Sequence, residues 1–294
     1  MYLKALPGSA RLPFLLLAPA CILPGIVIAL QHGTVPPGHI LLVLLAGVAA
    51  HAAVNLLNEY QDFSSGLDYA TRPTPFSGGS GTLPAHPEAA GSVKRAAFFC
   101  MGLTVLIGLY FVYLQGPLLL LPGITGLLLI ISYTRWINRL PLLCLISPGI
   151  AFGPLMLAGS ELALSGQNST AGLAASLMVF CLVNNLLLLN QYPDMEADSH
   201  FGRRHFVLHF GIAAANRVYL LFLLIAATTV SMAVTLGIFP PQAEWTLLGL
   251  LPALFSAIGA FRLRENIGQQ PFYLACNVAT ALITPLILAI SLSQ

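Results

Sequence analysis

Runs of roughly twenty apolar residues recur along this chain, and that recurrence constrains its fold more than any other feature. A run of that length lets one helix cross the hydrocarbon core of a bilayer, where each backbone N–H and C=O must be paired within the protein. Nine such runs can be read, at 12–30, 39–58, 96–114, 117–134, 142–160, 171–192, 212–237, 246–261 and 271–291. Only Gln115-Gly116 separates the third from the fourth, which predicts a tight helical hairpin there.

Composition agrees. Charged residues are 7% of the 294 and apolar ones 57%, whereas an ordinary soluble domain is about 25% charged. So few charges cannot cover a water-exposed surface of this size, but a lipid-facing one needs none. The net charge of +2 is too small and dispersed for nucleic-acid binding. The five cysteines all lie in apolar runs without ligand spacing and read as small buried hydrophobes. Lys4 and Arg11 ahead of an apolar run imitate a signal peptide, and Leu17–Cys21 imitates a lipoprotein cleavage site. Because the run continues to Leu30 and others follow, a first spanning helix is the better reading. The expectation is an all-α, polytopic membrane protein with nine transmembrane helices, residues 1–294 forming a single domain.

The distribution of basic residues tests that count. Lys4 and Arg11 precede the first run; Arg72, Lys94 and Arg95 lie between the second and third; Arg135 and Arg139 follow the fourth. Arg203, Arg204 and Arg217 follow the sixth, and Arg262 and Arg264 the eighth. With nine crossings all twelve fall on one side, and the opposite loops carry only Glu161 and Glu244. The positive-inside rule then puts the N-terminus in the cytoplasm and the C-terminus outside, in an inner (cytoplasmic) membrane.

Eight of the ten acids share the cytoplasmic side, and six cluster at the exits of the second and sixth runs. The first cluster runs from Asn55 through Asn58, Glu59, Tyr60 and Asp62 to Asp68; the second holds Asn190, Tyr192, Asp194, Glu196 and Asp198. Both contain Asn-x-Tyr-x-Asp, at 58–62 and 190–194, which suggests two related halves. Residues four apart share a helix face, so Asn58 and Asp62 form one oxygen-bearing stripe. Asn190, Asp194 and Asp198 form another if the helix continues through Pro193. Two such stripes facing each other suit a hard cation such as Mg²⁺, which takes oxygen ligands along with water and substrate phosphates. Ionisable groups at the ends of apolar spans are costly and usually functional.

Arg11, Arg135, Arg139, Arg203 and Arg204 on the same side suit an anionic phosphate ligand, or serve only to orient the chain. The glycine-rich stretch 71–81 is a flexible loop and no P-loop, since no Gly-Lys-Ser/Thr follows. His51, one turn before Asn55, reads as a packing histidine.

At these two clusters the sequence resembles the UbiA superfamily of intramembrane prenyltransferases. That family has nine helices and two motifs, Asn-x-x-x-Asp-x-x-x-Asp and Asp-x-x-x-Asp, represented here by Asn58-x-x-x-Asp62 and Asp194-x-x-x-Asp198. Ala10–Pro13 at the first helix and Tyr133-Thr134 at the end of the fourth extend the likeness. Within the superfamily, Asn55–Asp68 and the loop Gly78–Leu83 are most similar to the 1,4-dihydroxy-2-naphthoate prenyltransferases of menaquinone synthesis. Glu59 stands where those carry aspartate, Gly66 occupies the third motif position, and Arg203-Arg204-His205 replaces a lysine-bearing stretch.

The resemblance implies a UbiA-like bundle of two pseudo-repeated halves that moves an isoprenyl chain from a prenyl diphosphate to an aromatic acceptor. It implies Mg²⁺ held by Asn55, Asn58, Glu59, Asp62, Asp68, Asp194 and Asp198, with Asp62, Asp194 and Asp198 essential to catalysis. It further implies a diphosphate met by Arg11, Tyr133, Arg135, Arg139, Asn190, Arg203 and Arg204, and a prenyl tail lying among helices open to lipid. Two other readings stand beside it: a terpene cyclase on the same scaffold, and an ion-coupled transporter using intramembrane acids.

Overall fold

The computed structural model describes residues 5–71, 74 and 76–294, so Lys4 and Arg72 lie outside the described residues. Among them every regular element is helical. Nine apolar helices among the described residues carry the fold: α1 (Leu12–His32), α2 (Pro37–Ser65), α3 (Pro87–Gln115), α4 (Pro117–Ser132), α5 (Pro141–Ser165), α6 (Thr170–Asn190), α7 (Ile212–Thr235), α8 (Pro241–Gln269) and α9 (Pro271–Leu292). Eight are long and apolar enough to cross a membrane. The shorter α4 is roughly 24 Å long at 1.5 Å per residue. It begins directly after Gly116, whose φ of 100° lets the chain reverse at the predicted hairpin.

Contacts at the helix ends show that the nine alternate in direction. At one end, Arg11 before α1 meets Glu59 near the end of α2. Asn58 donates to the Thr134 hydroxyl after α4, and Arg203 after α6 meets Asp62. Gly268 at the end of α8 abuts Pro193. At the other end, Gln31 of α1 donates to the carbonyl of Leu292, the last residue of α9. His32 meets Glu161 of α5, and Gln115 at the end of α3 reaches Leu164 O. We call the first the acidic end and the second the far end.

Helix α6 is the hub and is mostly buried, whereas the peripheral α3 is mostly exposed. It packs on α5, α7, α9 and α1. Behind it, Asn277 donates to Asn185 O, Asn185 to Tyr219 O, and the Tyr219 hydroxyl to Asn277 Oδ1. Cross-helix bonds of this kind fix α6, α7 and α9 where burial of apolar surface alone would not specify a register. In front, α5 approaches closely because Gly149 and Gly153 leave room for the α6 backbone and Asn184. The Gly149 N–H donates to Asn184 Oδ1 at 2.6 Å. Pro148 and Pro154 lack N–H groups, and around Pro154 α5 widens into a π-helical stretch, Ala151–Ala158.

Helix α2 runs past its apolar stretch to Ser65, carrying Asp62 within its last turns, as the Asn58–Asp62 stripe requires. Two expectations need correcting. Helix α6 does stop at Asn190, and Asp194 instead begins a separate short helix, Met195–His200. Pro193 has no N–H for the helical ladder and disfavours helical geometry before it, so one continuous stripe cannot form. Glu161 is no loop residue: it lies inside α5, fully buried.

Candidate functional site

One apolar cavity of about 540 Å³ lies among α1–α6 and opens at the acidic end. Helix α2 sets its polar stripe. His51, Asn55, Asn58 and Asp62 follow one another at four-, three- and four-residue steps and all line the cavity, as the helical period requires. Asn55 donates to Ala10 O at 3.0 Å, bracing a break in the chain before α1. At that break Arg11 adopts φ 53°, a left-handed conformation that costs a non-glycine residue about 1–2 kcal/mol. The break sets Arg11 on the cavity wall and 3.6 Å from Glu59.

Asn58 donates to Asp62 Oδ2 and to Thr134 Oγ1, both at 3.0 Å. Arg203 bridges the two motifs, pairing with Asp62 through one nitrogen and with Asp198 through the other, the latter at 3.1 Å. Burial works against the charged guanidinium, but Asp62 and Asp198 more than offset it, so its pKa rises. His205 Nε2 lies 3.3 Å from Asp198 Oδ2 without hydrogen-bond alignment.

Gly66, at φ 87°, ends α2 and starts the short helix Leu67–Ala70 that brings Asp68 back over the cavity. Burial pushes the Asp68 carboxyl up to about 7, with repulsion from Glu59 and Asp62 adding to it. Burial likewise raises Asp194 to about 6, helped by Asp198 and opposed by a Gly78 N–H and the arginines.

The glycine-rich loop closes over both clusters. Gly78 N donates to Asp194 Oδ2 at 3.0 Å, while Ser80 donates through its hydroxyl and its N–H to Glu59. Gly79, at φ 75°, passes so near Asp68 that a Cβ there would sit 2.7 Å from Oδ1. Glu59 is thus wholly buried as the loop's anchor and Arg11's partner, and it is absent from the cavity wall. Its extra methylene over aspartate is what reaches Ser80.

The structure therefore brings Arg11, Asn55, Asn58, Asp62, Asp68, Tyr133, Asn190, Asp194, Asp198 and Arg203 to one cavity. It does not bring Arg135, Arg139 or Arg204 there. Those three are exposed; Arg135 stacks over Trp136, and Arg204 is tied by its backbone N–H to Asn138 O. His205 and His51 also line the cavity; in the sequence the only signal for His205 is its place two residues after Arg203, and His51 reads as a packing histidine.

Among the described residues no three His, Cys, Asp or Glu side chains already close around one point. The donor set is nevertheless almost purely oxygen, and buried Asp68 Oδ2 and Asn190 Oδ1 have no hydrogen-bond partner. That chemistry fits a hard divalent cation completing its shell with phosphate oxygens.

Comparison with known proteins agrees. Residues 17–281 match the model of the UbiA prenyltransferase family; the chain belongs to that family. Over 196 residues it is 26% identical to the 1,4-dihydroxy-2-naphthoate octaprenyltransferase of Bacillus subtilis strain 168, covering 65% of this chain but only 60% of that relative. The fold is similar to that of a digeranylgeranylglyceryl phosphate synthase, with TM-score 0.68 and 12% identity over 99% of both chains. It is also similar to an Archaeoglobus fulgidus UbiA homologue bound to DMAPP and Mg²⁺, with TM-score 0.60 and 17% identity over 95% of this chain and 98% of that one. At such identities the likeness concerns the fold.

Proposed function

We propose that this chain transfers an isoprenyl group from an allylic diphosphate to an aromatic acceptor, with 1,4-dihydroxy-2-naphthoate the leading candidate. The observation that carries this reading is the convergence of both acidic helix exits and Arg203 on the mouth of one apolar cavity. Asp62, Asp194 and Asp198, with Asn58 and Asp68, would hold Mg²⁺, which supplies Lewis-acid neutralisation of the leaving diphosphate. Arg11 and Arg203 place fixed positive charge where the diphosphate's negative charge grows. The cavity wall below is apolar and excludes the water that would quench an allylic cation. The relative from Bacillus subtilis supports the naphthoate acceptor by its name, and the homologue bound to DMAPP and Mg²⁺ supports the donor class.

The confinement of basic residues to one set of loops supports a cytoplasmic acidic end. In a cysteine-free background an impermeant thiol reagent should label Asn168→Cys, at the exposed far end, in intact cells. Ser199→Cys should stay unlabelled, and the reverse pattern would refute this orientation.

The function itself is tested with purified protein, Mg²⁺ and a prenyl diphosphate. Little diphosphate should appear until 1,4-dihydroxy-2-naphthoate is added, and chelation by EDTA should stop the reaction. Cyclic hydrocarbon made from the donor alone, at a rate indifferent to every aromatic tried, would establish a cyclase instead.

A further inference from the structure

His51 is the one cavity-lining imidazole that stands away from the acidic mouth. It is 7% exposed, its Nδ1 is enclosed by protein without a partner, its Nε2 is the ring nitrogen left open and makes no hydrogen bond among the described residues, and its ring packs T-shaped with Phe152 at 5.0 Å between centroids. The Ser147 hydroxyl, also on the cavity wall, is already committed to Leu143 O. A buried polar atom without a partner is unfavourable, and such groups in a cavity are satisfied when the right ligand binds. By contrast, His205 at the mouth lies beside Asp198.

Its depth restricts what that ligand is. On α2, His51 precedes Asn58 by seven residues, so it lies two turns or about 10 Å below it along the axis. A diphosphate at Asn58 and Asp62 therefore cannot reach it. A prenyl tail passes that level but offers the imidazole no donor or acceptor. An aromatic ring that meets the allylic carbon just inside the mouth does reach it, provided an oxygen substituent lies on the edge remote from the attacked carbon.

Resting on the transfer reading above, we infer that His51 and Phe152 form the acceptor subsite, with the imidazole hydrogen-bonded to the distal oxygen of a hydroxylated aromatic. His51 thereby selects acceptors that carry this oxygen; an acceptor lacking it leaves the imidazole unpartnered.

Steady-state kinetics with 1,4-dihydroxy-2-naphthoate and a prenyl diphosphate test this. His51→Phe, which keeps the ring and loses the hydrogen bond, should raise the acceptor KM about 10-fold while the donor KM stays fixed. His51→Gln, which keeps a polar atom near the position of Nε2, should restore most of the affinity. Titration calorimetry should show wild type binding 1-hydroxy-2-naphthoate, which lacks the distal hydroxyl, about 10-fold more weakly than the diol, and His51→Phe binding both alike. An unchanged acceptor KM in an active His51→Phe protein, or a change in donor KM or chain-length preference instead, overturns the inference and leaves the transfer reading intact. Absence of acceptor-dependent turnover in wild type overturns both.

Discussion

Glu161 at the far end is as deeply buried as Asp198 at the acidic end, yet the two carboxyls meet opposite surroundings. Glu161 accepts from the Ser169 N–H at 2.8 Å, at the N-terminus of α6, and lies 3.2 Å from His32 Nε2. Gly172 lacks the Cβ that would collide with it. One helix start, with its free N–H groups and positive dipole end, engages this acid, and it is absent from the cavity wall. Asp198 instead faces Arg203, His205 and the cavity, among other acids whose ionisation burial opposes. Depth of burial is therefore a poor guide to function. What matters is whether the carboxyl is enclosed by packed helices or faces a space that a ligand can enter.

Breaking this contrast by mutation should give the largest effects. Asp62→Ala and Asp194→Ala should each lower turnover about a thousandfold, because each removes a charge from the diphosphate site, with folding retained by circular dichroism and size-exclusion profile. Glu161→Ala should do the reverse, leaving turnover per folded molecule unchanged. It should cost about 1–3 kcal/mol of stability, because the Ser169 N–H at the start of α6 is left without its acceptor, read as a lower thermal midpoint. Equal loss of activity in all three variants would abolish the distinction between the ends.

Glu59 sharpens the contrast within the acidic end itself, since it belongs to the motif but serves the loop. Shortening it in Glu59→Asp keeps the charge but falls short of Ser80. The loop should then become more susceptible to protease and turnover should fall about 10-fold, through misplacement of Gly78–Gly79 rather than loss of a metal ligand. A wild-type affinity for Mn²⁺ in that variant, measured by electron paramagnetic resonance, separates the two roles.

The smallest effect is the pH response of the cation-free protein. Asp68 and Asp194 rise from 3.8 to about 7 and about 6, so the folded protein keeps protons that the unfolded chain has released. That contribution is complete below the unfolded value and is lost as pH rises through the folded values. The thermal midpoint should fall by about 2–4 °C between about pH 5 and pH 8. Asp68→Asn should reduce the slope, and Mg²⁺ should flatten it by pairing with the ionised carboxylates. A midpoint that rises with pH would contradict the burial of these acids.

The apolar runs by themselves determined the fold class. The cost of unpaired backbone in lipid leaves each of them one conformation, so nine helices and their alternation could be counted without knowing any neighbour. The i, i+4 spacing of Asn58 and Asp62 was legible for the same reason, since a helix fixes its own faces. Pro193 marks a break after α6 in the sequence, but not where the short helix carrying Asp198 then sits, which is set by contacts such as that of Asp198 with Arg203. Nor could the sequence distinguish Glu59, bound to Ser80 and Arg11, from Asp62 three residues later, or Arg203 from the exposed Arg204 beside it. Neighbours in sequence carry the same charge and the same local propensity. Which one faces the cavity depends on the angle at which distant helices pack, and only the tertiary structure decides that angle.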